Sequence, residues 1–127
     1  MTDKGCSEQD VLAFIQAKLR SVWAVELLAL LRRQLDVSWT AEGLVRELRS
    51  SELVVSEALG NLRRERFIAD DPGGTVRYAP ATAELDAMAQ AVVKLFAAKP
   101  VSVVKAVLDA PNEKLRIFSE AFKLKDD

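Results

Sequence analysis

Apolar residues recur at spacings of mostly three or four through the first quarter of the chain, and this pattern indicates amphipathic helix. The positions are Leu12, Ile15, Leu19, Trp23, Leu27, Leu30 and Leu31. Ser7 is suited to cap the start of the helix, and Ser21 marks either a second cap or a bend within one long helix. The apolar density of VWAVELLALL, residues 22–31, predicts a segment at the centre of the core.

Two shorter helices and a hairpin are predicted next. Thr40 is a good N-cap for a helix that runs to about Arg49, and the serine pair at 50 and 51 supplies a turn and the N-cap of a third helix that runs to about Arg66. The segments FIADD and TVRYA flank PGG, which predicts two short strands joined by a tight turn. We expect six apolar residues to meet in one core: Leu44, Leu48, Val55, Leu59, Leu62 and Ile68.

The last third of the chain is predicted to be helical. Thr82 is suited to cap a helix that ends at Pro100, a short helix covers VSVVKAVLDA, and NEKLRIFSEAFKLK forms a last amphipathic helix. The apolar stripes of these helices either pack within the chain or form a dimer or partner interface, and we favour a shared role. The interface candidates are Leu85, Met88, Val92, Phe96, Phe118 and Phe122.

Length and composition predict one compact unit. The chain has 127 residues, half of them apolar, which suffices for one ordinary core. The predicted fold class is mainly α with one small β-hairpin. We divide the chain into residues 1–80, which carry the helices and the hairpin, and residues 81–127, a helical extension for packing, dimerisation or partner docking.

The order helix, short helix, turn, helix and hairpin resembles the winged helix-turn-helix of MarR-type and related bacterial transcriptional regulators over residues 22–80. In those regulators a small hydroxylated residue follows the first buried position of the recognition helix. Two apolar residues come four and seven positions after that buried position, and an apolar pair opens the wing. The matching residues here are Trp39, Thr40, Leu44, Leu48, Val55, Ser56, Leu59, Leu62, Phe67 and Ile68, with the wing ADDPGGTVRYA. Glu57 stands where a basic residue is common. Arg66 stands where glycine is usual, which implies a different helix exit or strain.

The resemblance implies a dimeric DNA-binding regulator whose third helix approaches the major groove. The candidate DNA-binding residues are Arg49, Ser51, Ser56, Glu57, Asn61, Arg63, Arg64 and Arg77. Asn61 is the foremost polar candidate for contact with a base edge. The cluster Arg63, Arg64 and Arg66 either contacts phosphate or is a solvated helix end that complements the negative helix terminus.

Charge supports an alternative function of a different class. The chain has a net charge of -1, so any attraction to nucleic acid must be local. The first half of the third helix carries Glu52 and Glu57 without a Lys or Arg, and Asp70 and Asp71 lie in the wing. These acids are unfavourable near phosphate. The alternative is a winged-helix module that binds a protein partner, with its C-terminal helices docking that partner.

Several other functions receive no support from the composition. There is no histidine and only one cysteine, Cys6, so we expect no metal site and no disulfide within the chain. We also expect no cofactor. Gly73 and Gly74 belong to the predicted hairpin turn rather than to a phosphate-binding loop. We therefore expect a protein that is not an enzyme. The polar N-terminus and the lysines that interrupt the apolar stretch from residue 87 to 110 predict a cytoplasmic protein without a membrane span.

Overall fold

The computed structural model describes residues 7–109. This part of the chain is mainly helical with one antiparallel hairpin, as the sequence predicts. The elements in chain order are α1 (Glu8–Lys18), α2 (Val22–Arg33), α3 (Ala41–Leu48), α4 (Glu52–Arg64), β1 (Ile68–Asp71), β2 (Thr75–Tyr78), α5 (Ala83–Ala98) and α6 (Pro100–Leu108). Phe118 and Phe122 lie outside the described residues.

Side-chain hydroxyl groups set the starts of the first five helices. Each hydroxyl accepts a hydrogen bond from a backbone N–H three residues further on, which satisfies one of the unpaired donors of a helix N-terminus. The capping residues are Ser7, Ser21, Thr40, Ser51 and Thr82. Ser21 therefore begins a second helix, and the alternative of one long bent helix is excluded. α6 begins at Pro100, where a missing N–H has no cost.

The hairpin forms at the predicted residues and gains one further contact. Ile68 pairs with Tyr78 and Asp71 with Thr75, and the turn between the strands uses positive φ at Gly73 (95°) and Gly74 (89°). The backbone of Trp39 also exchanges two hydrogen bonds with Val76, of 2.8 and 2.9 Å. The segment before α3 is thus bound to the hairpin, which fixes the hairpin beside the helices.

One hydrophobic core joins the described elements. Five of the six residues expected in the core are buried, and Leu48 is half-buried and packs against it, so the prediction of a single core is confirmed. Phe67 is fully buried and meets Phe14 of α1 edge to face, with ring centres 6.0 Å apart. This contact connects α1 to the residue that precedes the hairpin.

The apolar stripe of α5 packs within the chain. α5 contacts α1, α2 and α6, and α6 packs on α1. Val92 is 0% exposed in the single chain, so the prediction that it lies at an interface is wrong, because α1 and α2 already cover that face. Leu85, Met88 and Phe96 are half-buried against the same core. Residues 83–108 therefore complete the core that residues 8–78 begin.

None of the helices in the described range is long and apolar enough to cross a membrane.

Candidate nucleic-acid interface

The inner side of α4 is buried and its opposite side lies at the surface. Val55, Ala58, Leu59 and Leu62 pack inward against α2, α3 and β1. Helical spacing places Leu53, Ser56, Glu57, Gly60 and Arg64 together on the opposite side. We call these five residues the outward face. All of them except the half-buried Gly60 are exposed.

The outward face combines an exposed leucine with a glycine. The side chain of Leu53 lies in the first turn of α4, and the residue is 67% exposed. A methyl group added at Gly60 would meet nothing within 4 Å. The outward face therefore has a gap at Gly60, where no side chain projects. Leu53 lies toward the start of α4 from this gap, and Arg64 lies toward its end.

Arginine residues stand at the exits of both α3 and α4 in the left-handed conformation. The φ angles are 54° at Arg49 and 68° at Arg66. After each of them, the next N–H returns to a carbonyl five residues earlier, from Ser50 to Val45 and from Phe67 to Leu62. Such exits favour glycine, because a side chain costs about 1–2 kcal/mol in this conformation. The sequence left two alternatives for Arg66, a different helix exit or strain. The chain adopts the exit that glycine usually occupies, and Arg66 is strained there.

Two of the predicted phosphate-binding arginines are paired with the hairpin. Arg63 donates two hydrogen bonds of 2.8 Å to the carboxylate of Asp70. Arg77 donates one of 3.0 Å to Asp71, whose other oxygen accepts from the Ser38 hydroxyl. The hydrogen bond from Arg63 lowers the pKa of Asp70 below its ordinary value and raises the pKa of Arg63, so the pair stays charged at neutral pH. From the sequence, these aspartates were expected only as repulsive charges, and their pairing with the arginines was not predicted.

Asn61 is not on the outward face, and the prediction that it contacts a base edge is wrong. It is 4% exposed. Its amide group donates to the Lys18 carbonyl at 2.8 Å and its carbonyl accepts from the Arg20 N–H at 3.2 Å. The Lys18 carbonyl and the Arg20 N–H lie where α1 ends and the link to α2 begins, so neither has a hydrogen-bond partner within a helix. Asn61 satisfies them and thereby joins α4 to that link.

The other candidate residues on or near α4 lie at the surface. Arg49, Ser51, Ser56, Glu57 and Arg64 are exposed at or near α4, although the Ser51 hydroxyl already accepts from the Val54 N–H. Leu53 and Gly60 were not predicted from the sequence as members of this surface. The sequence did contain a signal for them, because positions 53, 56, 60 and 64 are separated by three, four and four residues, a spacing that places them on one side of a helix.

Tyr78 joins the hairpin to α2 and α5. Its hydroxyl donates a 2.6 Å hydrogen bond to Oδ1 of Asp86. The Arg32 Nε lies 3.0 Å from the same oxygen as an ion pair, and the guanidinium lies over the tyrosine ring, 5.7 Å from its centre. Burial, then the hydrogen bond to Asp86, raises the pKa of Tyr78 above its ordinary value. The phenol therefore stays neutral and keeps its donor role.

Among residues 7–109, no three or more acidic, cysteine or histidine residues lie close enough to hold a metal ion. Comparisons with models of known protein families, with curated protein sequences and with solved structures gave no match to this chain.

Proposed function

We propose that residues 22–80 form a winged helix-turn-helix and that the protein is a cytoplasmic DNA-binding transcriptional regulator. One observation carries the proposal: the outward face of α4 is not covered by the other described helices, while arginines surround it. α4 contacts α2, α3 and β1 on its inner side, and the C-terminal helices lie on α1 and α2 instead. An uncovered helix held by a core and a hairpin has the geometry of a major-groove reader.

Four arginines are the phosphate contacts in this proposal. Arg46, Arg49, Arg64 and Arg66 are exposed and make no ion pair with another residue of the described range. Arg49 lies before the N-terminus of α4, and Arg64 and Arg66 lie at its end. The strain at Arg49 and Arg66 supports a functional reason for arginine at positions where glycine is less costly.

The ion pairs of the hairpin are compatible with DNA binding. The side chains of Arg63 and Asp70 are each about half exposed. Ion pairs in such positions stabilise a protein by about 0–1 kcal/mol, so they do not hold the hairpin rigidly against DNA. In the wild-type chain Asp70 and Asp71 occupy Arg63 and Arg77, so these two arginines are not counted among the phosphate contacts, and the acids limit nonspecific affinity.

The regulator binds as a homodimer in this proposal. The chain has a net charge of -1, and two copies on one duplex double the number of local cationic contacts. We place the dimer contact in the C-terminal third, with the half-buried side chains Leu85, Met88 and Phe96 as its candidates in the described part.

Fluorescence polarisation with labelled genomic fragments at about 50 mM salt tests the proposal, since electrostatic contacts are strong there. We expect the full chain to bind, and we expect Arg49→Ala and Arg64→Ala each to weaken binding. Lys94→Ala is the matched control, because Lys94 is an exposed cation on α5. Absence of binding at this salt concentration, or equal loss in all three variants, contradicts the proposal.

A protein-interaction module is the second candidate function, and the acidic start of α4 favours it. Glu52 and Glu57 are exposed there, and two nearby arginines are already paired with aspartates. This candidate predicts that Glu52→Lys with Glu57→Lys abolishes binding to a protein partner in a pull-down. The DNA-binding proposal predicts instead that the same double variant binds duplex DNA of unselected sequence more tightly, because two cations replace two anions.

A further inference from the structure

Leu53 has no role in the core of the chain. It is 67% exposed, and by helical spacing it lies on the side of α4 opposite Val55 and Leu62. An exposed leucine in the first turn stabilises the fold little. In the first turn of an uncovered helix face it is suited to contact an apolar group of a ligand.

Gly60 lies about one turn beyond Ser56 and about two turns beyond Leu53 along the same side. Glycine is a poor helix former, and the open space above it shows that no neighbouring side chain within the described fold requires its small size. The gap allows a ligand to approach the backbone of α4 closely. This independent feature indicates that the same face is shaped for contact.

The carboxylate of Glu57 offers only hydrogen-bond acceptors on the outward face of α4. It is exposed, and it makes no ion pair with a residue of the described range. The first half of α4 contains no Lys or Arg, and Asn61 is buried with its amide bonded to Lys18. A ligand group read by Glu57 must therefore be a donor.

The chemistry of Leu53 and Glu57 matches the major-groove edges of pyrimidines. Thymine presents a methyl group, and cytosine presents an amino donor that a carboxylate accepts. Guanine presents two acceptors, which Glu57 cannot satisfy, and bidentate reading of adenine needs a donor that a carboxylate lacks. Leu53 and Glu57 are four residues apart, so their side chains lie side by side on the helix.

We propose that the outward face of α4 reads a thymine and a nearby cytosine in the major groove of DNA. Leu53 packs on the thymine methyl group, Glu57 accepts from the cytosine amino group, and Gly60 permits the close approach. The proposal rests on the DNA-binding function proposed above.

The test begins with selection of binding sites from a randomised duplex by the full chain. We expect recovered sites to contain a fixed thymine and a fixed cytosine at neighbouring positions. Replacing that thymine by uracil should weaken wild-type binding about fourfold, the equivalent of one buried methyl group, and should leave Leu53→Ala unaffected. Glu57→Gln should change the preferred base from cytosine to adenine, because an amide both donates and accepts.

The possible failures are distinguishable. Suppose that binding depends on salt but is unchanged by the uracil substitution, or that Glu57→Gln keeps the wild-type base preference. Either result overturns the reading of pyrimidines and leaves the DNA-binding function intact. Absence of DNA binding overturns both. Because Leu53 and Glu57 are exposed, both variants should retain the wild-type helical circular dichroism and thermal unfolding.

Discussion

Arg49 and Arg66 occupy a backbone conformation in which glycine is less costly. The chain keeps the glycine-type exit from α3 and α4 and places a cation at each one. The sequence indicated the exit at Arg66 only through the resemblance to regulators that carry glycine there. It gave no indication at Arg49, because an arginine does not by itself suggest positive φ.

We expect Arg66→Gly to increase the free energy of unfolding by about 0.5–1 kcal/mol, since relief of strain exceeds the added entropy of the unfolded chain. Urea denaturation measures this change. Arg64→Gly is the control, because Arg64 lies within α4 and glycine there should lower stability by about 1 kcal/mol. A loss of stability in Arg66→Gly would show that the left-handed exit is not strained.

Polar residues at single positions were only partly predictable. The capping serines and threonines were identified because each precedes an apolar helical pattern. Asn61 was misplaced because it lies at the border between the inner and outer sides of α4. Its partners, the backbone groups of Lys18 and Arg20, are more than 40 residues away in sequence. Only the packing of α4 against the link between α1 and α2 decides which way it faces.

At the scale of elements, the sequence predicted the helices and the hairpin and missed the contacts between them. The segment PGG and its flanking strands predicted the turn at Gly73 and Gly74. The pairing of Trp39 with Val76 and of Arg63 with Asp70 depends on how the hairpin lies against α3 and α4. No local pattern encodes such contacts.

Gly60→Ala should separate the stability of α4 from its function. Alanine is the better helix former and has open space at this position, so we expect the free energy of unfolding to rise by about 0.5–1 kcal/mol. DNA affinity should fall, because the methyl group obstructs close approach. Thermal unfolding and polarisation measure the two effects. A variant that is more stable and binds DNA as well as wild type would exclude a role for the gap.

Asp70→Asn should strengthen DNA binding. Removal of the carboxylate leaves Arg63 available to a phosphate, so we expect higher affinity and a slope of log K against log salt that is steeper by about 0.9. Asp36→Asn changes the net charge equally in the segment between α2 and α3 and serves as the control. Equal effects of the two variants would mean that only net charge matters and that Arg63 does not reach DNA.

At the scale of the whole molecule, one core and one polar cluster hold the hairpin in place. Tyr78, Asp86 and Arg32 bring together β2, α5 and α2. The C-terminal helices were predicted as helices. A shared role in packing and in an interface was predicted for them, but not which residues the chain itself covers, because an apolar stripe has the same pattern whether a partner or the same chain covers it.

Tyr78 should make stability depend on alkaline pH. Its pKa is raised in the folded chain, so its contribution is complete below about pH 10 and is lost as pH rises through the folded pKa. Tyr78→Phe should lower stability by about 1.5 kcal/mol at pH 8 and remove this dependence. Tyr78 is the only tyrosine, so absorbance of tyrosinate measures its titration directly. A midpoint at the ordinary value would contradict the buried hydrogen bond to Asp86.

The most direct test of DNA binding through α4 is the salt dependence of affinity for a selected duplex. With Arg46, Arg49, Arg64 and Arg66 as phosphate contacts, the slope of log K against log salt should be about -3.6 for each bound copy. Arg49→Ala with Arg64→Ala should reduce its magnitude by about 1.8. A slope near zero, or one unchanged in the double variant, would contradict binding of DNA by this face.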